Sequence, residues 1–202
     1  MKGSIIIVCF FVLGTVVGVN GWSPRWLTDG GTLSFCALCA LMFFVGLSVG
    51  GDTEVLKNIR KVNPRLMLLP LVTIAGTLGG VAAAGLLLPG RGLADCLAVG
   101  SGFGYYSLSS IFITEYRGAE LGTVALLANI ARELITLLCA PLLARFFGPL
   151  APISSGGATT MDTTLPVITR VSGTGYVILS VFHGFVVDFS VPFLVTFFCS
   201  LY

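Results

Sequence analysis

Charge is scarce in this chain. Asp, Glu, Lys and Arg make up 10% of its 202 residues, against about a quarter in an ordinary soluble domain. The shortage excludes a solvated globular fold and points to a membrane protein. Histidine occurs once, as His183. With no second imidazole and no cysteine cluster at ligand spacing, a tetrahedral metal site is not expected, and neither is a cofactor. The net charge of +2 comes without a basic tail or a binding motif, so no nucleic-acid partner is expected. Enzyme signatures are missing as well: there is no GxSxG elbow, no Walker loop and no Rossmann fingerprint between a strand and a helix. Ser101 or Ser109 with His183 would be the only nucleophile and base, and no motif joins them. The chain is therefore not read as an enzyme.

What is present is apolar. Hydrophobic residues make up 55% of the chain, and the mean hydropathy is +1.00. The few charges divide the sequence into uncharged runs, Gly3 to Pro24, Gly30 to Gly51, Leu66 to Gly90 and Cys96 to Thr114. Each is near the roughly 20 residues that a helix needs to cross the hydrocarbon core, and far longer than a barrel strand of about 9 to 11. The fold class expected is all-α: a single polytopic domain over 1–202, with interrupted or re-entrant helices of the kind secondary transporters use. Its segments are expected at 4–20, 32–50, 66–88, 94–114, 120–145 and 174–201, with 154–171 spanning or re-entrant. Lys2 before an apolar stretch that ends in "VVGVNG" has the form of a signal peptide, but in a chain with further spans it reads better as a first helix. Cys36 and Cys39 have redox-motif spacing without the βαβ context of a thioredoxin-like site, and read as buried thiols.

Lys57, Arg60, Lys61 and Arg65 crowd one short loop, which the positive-inside rule places in the cytoplasm together with the N-terminus. By simple alternation the loop at Arg91 falls outside and "EYRGAE", Glu115 to Glu120, falls inside. Two segments break the apolar pattern. "GSGFGYYSLSSIFITE" (Gly100 to Glu115) has three glycines and four serines, and "SSGGATTMDTTLPVITR" (Ser154 to Arg170) has two glycines, an acid, a proline and many hydroxyls. Irregular backbone is tolerated at membrane depth only where protein or a water-filled cavity surrounds it, so both segments should face inward. They also resemble each other at an offset of 55 residues, "IFITEYRG" ending at Gly118 and "PVITRVSG" at Gly173, each followed by a long apolar helix. Duplicated units with interrupted helices are a common way to build a transporter's substrate site.

The sharpest feature is the pair Arg132 and Glu133, with eleven uncharged residues on either side. At 100° per residue, Asn129, Arg132, Glu133 and Thr136 form a polar stripe about 100° wide. A charge at the bilayer centre costs at least about 2.5 to 3.5 kcal/mol, so such a stripe faces a bundle interior and tends to mark a transport or proton path. Adjacent residues point apart on a helix, which argues against a mutual ion pair. Arg132 is expected to orient Glu133 or balance its charge. Asp162 stands among Thr159, Thr160, Thr163 and Thr164, with Pro166 after it; a broken helix there would offer amides and a dipole end to an anion while the carboxylate held a cation. That combination suits a zwitterion. Ser101, Gly102, Gly104, Tyr106, Ser109, Thr160, Thr163 and His183 complete the candidate lining. His183 and Asp188 are five residues apart, about 140° around a helix, and need not share a face.

Three blocks carry a family resemblance: "SGFGYYSLSSIFITE" at 101–115, "ANIARELITLLCAPLL" at 128–143 and "GGATTMDTTLPVITR" at 156–170, with "HGFVVDFSVPFL" at 183–194 as a fourth. In this order they resemble the LysO-type lysine exporter family. The resemblance implies a multi-pass protein of the bacterial inner membrane that exports L-lysine, and toxic lysine analogues with it, in exchange for protons. It matches Glu133 of "ARE" and Asp162 of "MD" to acidic positions of the family blocks, whereas Asp188 falls outside the pattern. Family members are longer at the N-terminus, which implies a separate small membrane protein, or a second copy of this chain, as the completing partner. The alternative reading is a passive channel or a structural membrane subunit, in which Arg132 and Glu133 only lock helices together. A channel would more naturally show rings of like residues.

Overall fold

A computed structural model describes residues 12–14, 16–22, 47, 64–87 and 90–201. The expected spans at 4–20 and 32–50, the loop residues Lys57, Arg60 and Lys61, and Cys9, Cys36 and Cys39 lie largely or wholly outside these residues. From Pro64 onward the chain is helical, with no strand among the described residues. A 3-10 turn, Pro64–Leu68, leads into α1, Leu69–Gly85. Two short helices follow, α2 (Leu93–Gly100) and α3 (Tyr106–Arg117), and then the long α4 (Ala119–Phe147). Next come α5 (Ala151–Gly156), a 3-10 segment (Gly157–Met161) and α6 (Leu165–Ser172). A last turn, Thr174–Tyr176, opens α7, Val177–Cys199. Among the described residues, three stretches are long and apolar enough to cross a membrane, Arg65–Gly85, Ala119–Phe147 and Thr174–Cys199.

The residues expected to form a span at 94–114 do not make one. They fold as α2, a tight turn over 101–105, and α3, which returns along α4. Arg117 at the end of α3 approaches Asp95 near the start of α2, Nε to Oδ1 3.7 Å, and Arg91 just before α2 pairs with Glu120 at the start of α4. Both ends of this first hairpin therefore lie on one face, and its tip lies halfway along α4, where Asn129 Nδ2 donates to the Val99 carbonyl at 3.3 Å. The loop 115–120 consequently shares a face with Arg91, contrary to the alternation expected from the sequence. Length is the physical reason: with Gly102 and Gly104 breaking the helix, neither α2 nor α3 has the residues to cross.

The second hairpin, α5 and α6, enters from the opposite face. Ser172 Oγ at its end donates to the Pro149 carbonyl at its beginning, 2.8 Å away, while its tip meets Arg132 and Thr136 in mid-α4. The two tips touch. The Ala158 N–H donates to the Phe103 carbonyl at 3.0 Å. Glycine is required at this seam: Gly157 has φ +62, and a Cβ there would strike the Phe103 carbonyl. One span plus one hairpin (α1, α2, α3) is thus followed by one span plus one hairpin (α4, α5, α6) of opposite direction, and α7 closes the set. The 55-residue offset seen in the sequence maps the first unit onto the second, with Gly118 (φ 90, ψ 165) and Gly173 (φ 103, ψ 158) as equivalent hinges.

Packing holds the units together at both levels. Ala98, Phe103, Leu121 and Ala125 bury against Val187, Val191 and Val195 of α7. Ile153, Ile168 and Leu179 form a smaller cluster at the opposite end, against Leu66 and Leu69. In a variant stripped of its native cysteines, Leu93→Cys and Ala119→Cys should react with a membrane-impermeant thiol reagent from the same face, and Thr174→Cys from the other. Labelling of positions 93 and 119 from opposite faces would disprove the re-entrant hairpin.

Candidate functional site

The site forms where the two tips meet α4. Glu133 is the middle residue of α4, which at about 1.5 Å per residue is about 43 Å long and exceeds a hydrocarbon core of about 30 Å. A cavity of about 230 Å³ opens beside it, lined by Gly104 and Tyr106 of the first hairpin and by Asp162 and Thr163 of the second. Asp188 of α7 lines it too. Thr163 holds Asp162, its N–H donating to Asp162 Oδ1 at 2.5 Å and its hydroxyl to the same oxygen at 3.4 Å, and lines the same void as Glu133. Three carboxylates thus face one void, and no basic side chain lines it among the described residues. The N-terminal turn of α3, Tyr106 and Ser107, opens on the same void. A helix N-terminus carries a partial positive charge and favours an anion. The surface can therefore hold ammonium groups and, at one end, a carboxylate.

Arg132 goes elsewhere. Its Nε donates to the Ser155 carbonyl at 2.9 Å and its Nη2 to the Ser154 carbonyl at 3.0 Å, while Nη1 and Nη2 reach Thr77 Oγ1 on α1 at 3.3 and 3.4 Å. Those carbonyls belong to the last turn of α5, where a cation is favoured by the negative end of the helix. The guanidinium also sits over the Phe103 ring, 5.7 Å from its centroid. It borders a separate cavity of about 470 Å³ between α1, α2 and α4, shared with Asn129 but not with Glu133. Among the described residues no carboxylate lies within ion-pair distance of it. Arg132 is a clamp on the second hairpin rather than an orienter of Glu133.

The remaining candidates divide in the same way. Glu133, Asp162, Gly104, Tyr106 and Thr163 are brought together at the acidic cavity. Asn129 is consumed by the first hairpin: Oδ1 accepts the Gly104 N–H at 2.8 Å, and Nδ2 donates to Ala125 O at 2.9 Å and to Ser109 Oγ at 3.4 Å. Ser101 is fully buried on the Ala98 carbonyl, Ser109 on that of Tyr105, and Gly102 leaves the room that Asn129 and Ser109 occupy. Thr160 and His183 are buried in packing: His183 Nδ1 lies 3.2 Å from Thr160 Oγ1 and Nε2 lies 2.9 Å from Thr73 Oγ1, with no access to the cavity. Asp188, which the sequence left outside the candidate lining, also borders the cavity. Its signal was present, an acid in an otherwise uncharged final helix, but the helix register alone could not say what it faced.

The family model described as "Lysine exporter LysO" matches residues 8–199. The chain belongs to the LysO lysine exporter family. It is 37% identical to the lysine exporter LysO of Escherichia coli K12 over 94% of this chain, but spans only 62% of that protein. A putative lysine exporter of Haemophilus influenzae is 33% identical over 90% of this chain and 92% of its own length. No solved structure matches. With three helices apolar enough to cross and tips built from buried irregular backbone, this LysO-family chain is an all-α membrane protein of a family of exporters, not of enzymes.

Asn129→Ala would leave the buried Gly104 N–H without its acceptor, a loss of about 1–3 kcal/mol from stability. Thermal unfolding in detergent should show a lower midpoint than the parent, while Leu127→Ala, a substitution at a 61% exposed position on the same helix, should leave it nearly unmoved.

Proposed function

We propose that this chain exports L-lysine, and cationic lysine analogues with it, across the bacterial inner membrane in exchange for protons. The cavity between the hairpin tips is its substrate site. The observation that carries this reading is the convergence of Glu133 and Asp162 on one void that no basic side chain lines among the described residues. Lysine brings two ammonium groups and one carboxylate. Glu133 receives an ammonium group when ionised and holds a proton when the site is empty, since an unpaired carboxylate in mid-membrane is costly. Asp162 supplies a second negative charge to the site, and the N-terminal turn of α3 accepts the carboxylate. A one-for-one trade of lysine cation for proton moves no net charge.

Orientation follows from the arginines. Arg65, Arg145 and Arg170 lie on the face from which α5 and α6 enter. Arg91 and Arg117 share the other face with Asp95, Glu115 and Glu120. The positive-inside rule makes the first face cytoplasmic, so the second hairpin guards the entry of substrate. A passive channel fits less well, because the tips close on each other through the Ala158 to Phe103 hydrogen bond. The E. coli relative carries sequence beyond the match, and a second membrane component, a small separate protein or a second copy of this chain, belongs to this reading; native mass measurement after co-purification tests it.

In proteoliposomes, Glu133→Gln should lose at least about tenfold of lysine efflux driven by a pH gradient, equivalent to about 1.4 kcal/mol or more. Full proton-driven efflux by that variant would remove Glu133 from the coupling role.

A further inference from the structure

Asp188 is the third acid lining the cavity, and its position is informative. Its helix neighbour His183 turns to Thr73 and Thr160, while Phe185 and Phe189, on either side in sequence, are 63% and 64% exposed. Asp188 faces the void instead. Helix packing orders the three acids: the second hairpin, which carries Asp162, packs against both α4 and α7, whereas α4 with Glu133 and α7 with Asp188 make little direct contact. Asp162 therefore stands between the other two, and Glu133 and Asp188 mark the far ends of the acidic lining.

We propose that Asp188 is a specificity-determining residue that receives one ammonium group of a dibasic amino acid, whose other ammonium group lies at the Glu133 end. The assignment rests on the export reading above. A monoamine can be satisfied by Asp162 with one neighbour. Only a substrate whose second amino group lies several bonds away gains from a carboxylate at the far end, so the separation selects both for the second charge and for chain length. A site built to bind a polar group rejects an analogue lacking it because its own group is then left unpaired.

The test is counterflow of labelled lysine into proteoliposomes holding the full chain, with lysine, ornithine and norleucine as competitors. Norleucine is lysine without its side-chain amino group. In the parent, lysine should compete far better than norleucine. In Asp188→Asn the preference for lysine over norleucine should collapse by about tenfold or more, as expected when one partner of a buried charge contact is removed, with norleucine itself within about twofold of the parent. Asp188→Glu should keep the preference for two charges while shifting the balance between lysine and ornithine. Equal weakening of lysine and norleucine, or an unchanged ratio, would overturn the assignment while leaving export intact. A parent protein without saturable lysine counterflow would overturn the export reading and this assignment together. Should Asp188→Asn fail to fold, Asp188→Glu decides: a lysine to ornithine ratio identical to the parent's refutes the role.

Discussion

Everything in this structure depends on satisfying bare backbone in the middle of a membrane. Two helical hairpins enter from opposite faces and end halfway, where there is no bulk water to bond the freed N–H and C=O groups. Each tip is completed by protein. Asn129 takes the Gly104 N–H, Arg132 takes the Ser154 and Ser155 carbonyls, and the tips bond each other through Ala158 and Phe103. The irregular segments can exist only as a mutually dependent set, and this fixes where α4 must run.

That requirement explains why α4 carries so many polar groups. Asn129 serves the first hairpin, Arg132 and Thr136 the second, and Glu133 alone is left for the cavity. Adjacent residues on a helix point about 100° apart, so Arg132 and Glu133 reach different cavities despite being neighbours in the chain. The arginine neutralises helix-end carbonyls rather than the glutamate. The glutamate is thereby left without an internal ion pair among the described residues, as the proposed trade of a proton for a cation requires.

The same geometry gives the site its character. The void is bounded by two tips and one long helix, with acids contributed from α4, the second hairpin and α7. Each tip is held by a few hydrogen bonds and by small residues such as Gly157 and Gly184, where a Cβ would collide with the neighbouring backbone.

Much of this was legible in the sequence. Composition fixed a helical membrane protein, because so few charges leave no way to solvate the surface. The polar, glycine-rich stretches announced interrupted helices, and the lone mid-helix acid in "ARE" stood out because its cost needs a purpose. The 55-residue similarity was a trace of the duplicated span-and-hairpin unit. What the sequence could not decide was direction. A run such as 94–114 has the length and hydropathy of a span, and only the contacts of Asp95 with Arg117 and of Arg91 with Glu120 turn it back on itself. Partnership was equally hidden: Asn129, Ser109 and His183 have the chemistry of substrate ligands but spend it on packing, while Asp188 reaches the cavity. Residue type sets what a side chain can bond to, but which of those bonds is already taken depends on chain segments brought together from far apart, and that is settled only in three dimensions.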